Sequence, residues 1–142
     1  MIKEKQIEHV ILQWLNAQPD TFAFKVNTAG FFDTKRKVFR KNLSPFVIPG
    51  TADILFLHHG FFGAIEVKSK RGQVSLHQKA FLTKVKESGG FIAIARSLDD
   101  AIALYAEMAY YAKAIHALES QSSFPHHKSC LSKPIPSAPQ NS

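Results

Sequence analysis

The chain has 142 residues, 45% of them hydrophobic, which is enough for one core of ordinary size and leaves little room for a second. A formal charge of +7 suits a polyanionic partner, because Lys and Arg that neutralise phosphates release condensed counterions. The single cysteine, Cys130, excludes an internal disulfide and fits a reducing, cytoplasmic setting. The N-terminus lacks the uninterrupted apolar run of a secretory signal, and the most apolar later stretch, 101–118, carries Glu107, Lys113 and His116, so no membrane span is expected.

Taken in chain order, 4–17 sets Ile7, Val10, Ile11, Trp14 and Leu15 at helical spacing among Glu8, His9, Gln13 and Asn16, and predicts an amphipathic helix stopped near Pro19. Phe22, Phe24 and Val26 alternate with Ala23, Lys25 and Asn27, the pattern of a half-buried strand with its aromatic side inward. The segment 33–42 is polar and basic, with Lys35, Arg36, Lys37, Arg40 and Lys41, and reads as a loop or edge hairpin facing solvent. Beyond Pro45, Pro49 and Gly50, the apolar runs 53–57 and 61–67 flank His58-His59-Gly60, a connection short enough for an antiparallel hairpin. Ser75 and Gln78 have capping-box spacing, opening a helix that Gly89-Gly90 stops. A short buried strand over 91–95 and a second capping-box-like start at Ser97 follow, the last helix fading near 117–118.

From Glu119 onward the chain is rich in Ser and Pro and has no sustained apolar period, so 1–118 is expected to be the domain and 119–142 a disordered tail. The element order predicts an α/β fold, a mixed central sheet flanked by helices.

Side chains on a strand alternate faces, so Glu66 and Lys68 project from one side of 61–68 while Ile65 and Val67 enter the opposite layer. Asp53 opens the partner strand, and the turn at 58–60 returns Glu66 toward it. Two carboxylates and a lysine on one surface suit phosphodiester hydrolysis. Mg²⁺ held by one or two carboxylates supplies charge stabilisation and a nucleophilic water, and the ammonium orients that water and faces the phosphate. Glu66 is embedded in an apolar run, where a carboxylate is costly unless paired. Gly50 and Gly63 allow close backbone approach.

Gly50-Thr-Ala-Asp53, then Ile65-Glu66-Val67-Lys68, then Gln78 after the turn Gly72-Gln-Val-Ser-Leu-His, resembles the VRR-NUC branch of the PD-(D/E)XK nucleases over roughly 6–105. The resemblance implies a restriction-endonuclease-like core and a divalent-metal-dependent DNA endonuclease, using Mg²⁺ with Mn²⁺ as an alternative. Asp53, Glu66 and the Val67 carbonyl are implied as metal ligands and Lys68 as the residue assisting the attacking water. Glu8 is implied to reach the metal, in part through water, and Gln78 to border the site. Ala52 departs from the proline common before the motif aspartate but removes no ligand. Branched DNA such as Holliday junctions or flaps is the implied substrate, and symmetric cutting favours a homodimer, for which Ile102, Tyr105, Ala109, Ala112 and His116 form a candidate face.

Other readings stay open. Glu66 and Lys68 also fit a solvated strand face, Gln78 a capping box, and Glu8 an ordinary first-turn glutamate with Glu4 as competitor. Lys35, Arg36, Lys37, Arg40 and Lys41, with Lys70 and Arg71, are expected to grip phosphates rather than merely keep a loop soluble. His58-His59 and His126-His127 read as turn and tail residues, not zinc ligands. Most of the 12 phenylalanines fall at core positions, with Phe31-Phe32 the candidates for base stacking. The competing functions are a catalytically silent nucleic-acid-binding module and a general nicking or end-processing nuclease.

Overall fold

A computed structural model describes residues 3–28, 30–41 and 44–121. Cys130, His126-His127 and the expected tail beyond Gln121 lie outside the described residues.

The first helix, α1 (Glu4–Asn16), buries Ile7, Ile11 and Leu15, one face at a spacing of four. Four strands, β1 (Thr21–Lys25), β4 (Ile54–His58), β5 (Phe61–Val67) and β6 (Phe91–Ala95), form the main sheet in the order β1-β4-β5-β6. Its first two pairings are antiparallel and β5–β6 is parallel, the latter requiring the crossover helix α2 (Leu76–Glu87). Between β1 and β4 the chain makes a separate antiparallel hairpin, β2 (Phe31–Asp33) and β3 (Val38–Arg40), as the basic segment predicts. The last helix, α3 (Leu98–Gln121), runs past the expected end near 117–118. Glu119 to Gln121 therefore belong to the helix rather than the tail.

Helices α1 and α3 cover one sheet face, with Ile11, Leu15, Ile54, Phe56, Ile65, Val67 and Met108 in the core. The opposite face receives α2, where Ala52, Ala64 and Leu82 pack with Leu55, Phe81, Val85 and Ile92. Gly63 is opposite Phe56, and a Cβ there would fall 2.3 Å from the Phe56 ring, so the glycine is the space into which that ring packs.

The facing of β1 is the reverse of the expected one. Ala23 is buried, whereas Phe22 and Phe24 are exposed. The reason lies in α1: the Asn16 amide donates to the Ala23 carbonyl and accepts from the Ala23 N–H, both at 3.0 Å. Clasped through its backbone by Asn16, Ala23 turns its methyl group into the core with Ile7, Ile11 and Leu15 of α1. Alternation of apolar residues predicted the strand, but the docking of a small residue decided its face.

His58 ends β4 in the core, 3% exposed, rather than sitting in the turn. The turn is His59-Gly60, with φ of 48° and 82°, the geometry of a two-residue type I′ hairpin. His58 Nδ1 lies 3.0 Å from the Thr21 hydroxyl, and its ring packs on Tyr105, which also meets Trp14 edge-on. Tyr105 is half-buried by these ring contacts, and Ala112 is buried on the same helix.

Burial, with repulsion from His59, holds the His58 pKa below its ordinary value of 6.5. The folded state therefore favours neutral imidazole, and the unfolded chain binds more protons as pH falls through 6.5. Melting temperature is expected to drop across that range, and His58→Asn, which keeps a polar atom near the Nδ1 position, is expected to flatten the drop. Thermal denaturation between pH 5 and 8 checks this, and an unchanged slope in the variant would place the acid sensitivity elsewhere.

Candidate active site

The register Ile54↔Ile65, continued by one residue, sets Asp53 opposite Glu66. Both leave the sheet on the side that α2 covers. Asp53 Oδ2 accepts from the Val67 N–H at 2.8 Å, so the aspartate closes the gap where the β4–β5 ladder ends and its side chain is fixed against the motif strand. Glu66 is 1% exposed. Its Oε1 lies 2.8 Å from Lys68 Nζ and also accepts from the Gln78 side-chain amide.

Glu66 Oε2 is buried and has no hydrogen-bond partner among the described residues. Burial, reinforced by the nearby Asp53 carboxyl, raises the Glu66 pKa above the usual carboxylate range against the opposing pull of Lys68. A buried carboxylate with a second one beside it and the Lys68 ammonium on one of its oxygens is short of positive charge. A divalent cation fits that deficit: it would meet the orphaned oxygen and offset the Asp53–Glu66 repulsion. Among the described residues no group of three or more His, Cys, Asp or Glu side chains is placed to hold a metal. The available donor set is two carboxylates and backbone oxygen, which suits Mg²⁺, an ion that usually keeps several of its waters.

Gln78 occupies both of the roles open to it. Its Oε1 accepts from the Ser75 N–H at 2.8 Å and its own N–H donates to Ser75 Oγ at 3.2 Å, a complete capping box. The same amide's NH₂ turns to Glu66. The start of α2 is thereby tied to the carboxylate. Gly50 makes the approach possible: at φ +75° its absent Cβ would lie 2.3 Å from the His77 carbonyl carbon.

On α1 the two glutamates separate. Glu8 pairs with Lys25 at 2.5 Å, beside the Asp53 end of β4. Glu4 Oε1 accepts from the Ser69 N–H at 2.8 Å, immediately after Lys68, and that bond with the nearby Lys68 and Arg96 charges keeps its pKa below the ordinary value. Arg96, which the sequence pattern did not single out, donates to the carbonyls of Ser69 and Gly72 and so shapes the turn after the motif strand. It directly follows β6 alongside Lys68, whose N–H bonds to the Ala95 carbonyl at 2.9 Å, so only the parallel pairing reveals it.

Lys70 and Arg71 are exposed on that turn. In the β2–β3 hairpin, Arg40 is paired with Asp33 at 3.1 Å, while Lys35, Arg36, Lys37 and Lys41 are exposed and form no ion pair among the described residues. The Asp33 carboxylate also accepts from the Lys35 and Arg36 N–H groups, each at 3.1 Å, which folds the turn and splays its cations outward.

No protein-family model matches the sequence, and no curated protein matches it. A solved structure described as a VRR_NUC domain protein is similar to the chain, with a TM-score of 0.51 over 73% of this chain and 85% of that one, at 18% identity. Likeness at that identity speaks to architecture: the mixed sheet flanked by helices is the fold that this chain shares with that VRR_NUC domain protein.

Proposed function

We propose that the chain is a divalent-metal-dependent endonuclease that hydrolyses DNA phosphodiester bonds, branched structures such as Holliday junctions and flaps included. The observation that carries this reading is Glu66: a buried carboxylate facing Asp53, with one oxygen on Lys68 and Gln78 and the other unsatisfied among the described residues. A site that only stabilised the fold would not retain such a group, because an unpaired buried polar atom costs about 1–3 kcal/mol.

Asp53, Glu66 and the Val67 carbonyl would hold Mg²⁺ or Mn²⁺. When bound, the ion supplies charge stabilisation at the scissile phosphate and lowers the pKa of the attacking water. Lys68 has three N–H donors and the Glu66 contact takes one, leaving donors to orient the water and to face negative charge that develops on the phosphate. Gln78 holds Glu66 in place through α2, and the Val67 N–H does the same for Asp53. Lys70, Arg71 and the unpaired hairpin cations would bind flanking phosphates, setting position rather than sequence preference.

Labelled duplex, flap, four-way-junction and single-stranded DNA incubated with Mg²⁺, Mn²⁺ or chelator test the reading. Cleavage is expected with either ion and none in chelator. Cutting that persisted without a divalent ion, or no cutting of any substrate, would overturn it.

A further inference from the structure

The β2–β3 hairpin carries more than charge. Phe32 and Phe39 are direct cross-strand partners, so their rings stand on one face of the ribbon, and each is 57% exposed. The other face holds the Asp33–Arg40 ion pair. An aromatic pair left in water on a two-stranded ribbon contributes nothing to the core, and its surroundings are cationic: Lys35, Arg36 and Lys37 at the turn and Lys41 beyond β3.

The placement of the ribbon matters equally. β1 ends at Lys25, opposite Ile54, and the chain re-enters the sheet through Asp53. The hairpin is thus an excursion whose two roots lie at the edge of the sheet where Asp53, Glu66 and Lys68 converge. On the returning arm Phe46 is 90% exposed and Ile48 is 55% exposed.

We infer that this face is a stacking platform for unpaired nucleobases, so that the hairpin recognises a DNA strand whose bases are splayed out of the duplex next to the cut. Charge complementarity selects the occupant. A hydrophobic protein partner would have to desolvate the ring of cations, whereas a nucleic-acid strand satisfies both features at once, its phosphates on the lysines and its bases on the rings. Intact duplex offers only phosphates to such a face, because its bases are already stacked on each other. This inference rests on the nuclease reading and assigns that site a substrate class, DNA with unpaired bases beside the scissile bond.

The test compares affinities of the full chain in Ca²⁺ for a duplex and for the same duplex interrupted by an unpaired tract bearing 2-aminopurine. Base–aromatic stacking is worth about 1–3 kcal/mol per base, which corresponds to roughly 5- to 150-fold in affinity. The Phe32→Ala, Phe39→Ala double variant is therefore expected to lose the preference for the unpaired tract over duplex by about that factor. It is also expected to lose the 2-aminopurine quenching shown by the unsubstituted protein. Phe39→Trp is expected to keep both, and Phe39→Leu, apolar but unable to stack, to lose part of the preference. Equal losses on the two substrates, unchanged quenching, or a double variant whose only change is a smaller mass by light scattering would overturn the platform, the last by showing that the rings meet a second copy of the chain. Failure here is separable from failure of the nuclease reading. A protein that cuts DNA with no Phe-dependent preference refutes the platform alone, and one that shows the preference but cuts nothing refutes the nuclease alone.

Discussion

Glu66→Gln is expected to reduce DNA cleavage by at least about 100-fold while leaving the metal-free protein as stable as before or more so. The amide has the shape of the carboxylate and its oxygen still accepts from Lys68 and Gln78. What disappears is a negative charge that burial and Asp53 both oppose. The sign follows from linkage: an acid whose folded pKa is raised makes the protein less stable as pH climbs from the ordinary value of 4.5 through the raised one, and the glutamine removes that loss. Lys68→Met should fail equally in cleavage but with the opposite effect on stability. Lys68 is the ammonium on a carboxylate that is 1% exposed, and breaking such a pair from one side costs about 3–5 kcal/mol. Part of that loss is relieved where Glu66 takes up a proton. The two variants, measured by cleavage rate and by melting in chelator and in Mg²⁺, make a joint test. A solvated ion pair on a strand face would give stability changes under about 1 kcal/mol for both. Added Mg²⁺ should raise the melting temperature of the unsubstituted protein and not that of Glu66→Gln. Retained cutting in either variant would mean that the reacting centre is elsewhere.

The parts of this centre that the sequence revealed are those set by strand alternation. Glu66 and Lys68 are two apart, so they share a face whatever the sheet does, and the short connection through His59-Gly60 fixes which residue of the next strand meets them. Asp53 opposite Glu66 follows from those two facts. Gln78 was ambiguous for a physical reason that the structure removes: a primary amide has both an acceptor and two donors, and it caps α2 with one end while holding Glu66 with the other. Arg96 was invisible to pattern reading, and Glu4 figured only as a competitor of Glu8, because their significance depends on the backbone that passes close to them, the turn at Ser69 that follows the motif strand. β1 shows the limit most directly. A Phe-x-Phe alternation gives the period of a strand, but which side faces inward depended on Asn16 clasping the Ala23 backbone, a contact between an irregular helix end and a strand that no periodicity encodes.

Gly50→Ala is expected to damage stability and activity together, because it lies where the fold and the site share one contact. An alanine at φ +75° carries strain of about 1–3 kcal/mol from the backbone alone. Its Cβ would also fall 2.5 Å from the Gln78 nitrogen and 2.3 Å from the His77 carbonyl carbon, and these are backbone atoms that cannot rotate aside. The first turn of α2 has to move, and Gln78, which holds Glu66 from that turn, moves with it. Displacement of a catalytic carboxylate by about 1 Å can lower a rate by roughly 100-fold, so kcat/KM is expected to fall by that order even at temperatures where the variant is folded. Gly89→Ala separates the two causes. Gly89 has a similar φ of +88° with, among the described residues and apart from its chain neighbours, no atom within 4 Å of the missing Cβ, and it sits at the far end of α2. That variant should lose stability through backbone strain alone and cut DNA normally at temperatures where it is folded. Should Gly89→Ala lose activity as steeply as Gly50→Ala, the coupling of α2 to Glu66 through its first turn would be wrong, and the helix as a whole would have to be the element that the site depends on.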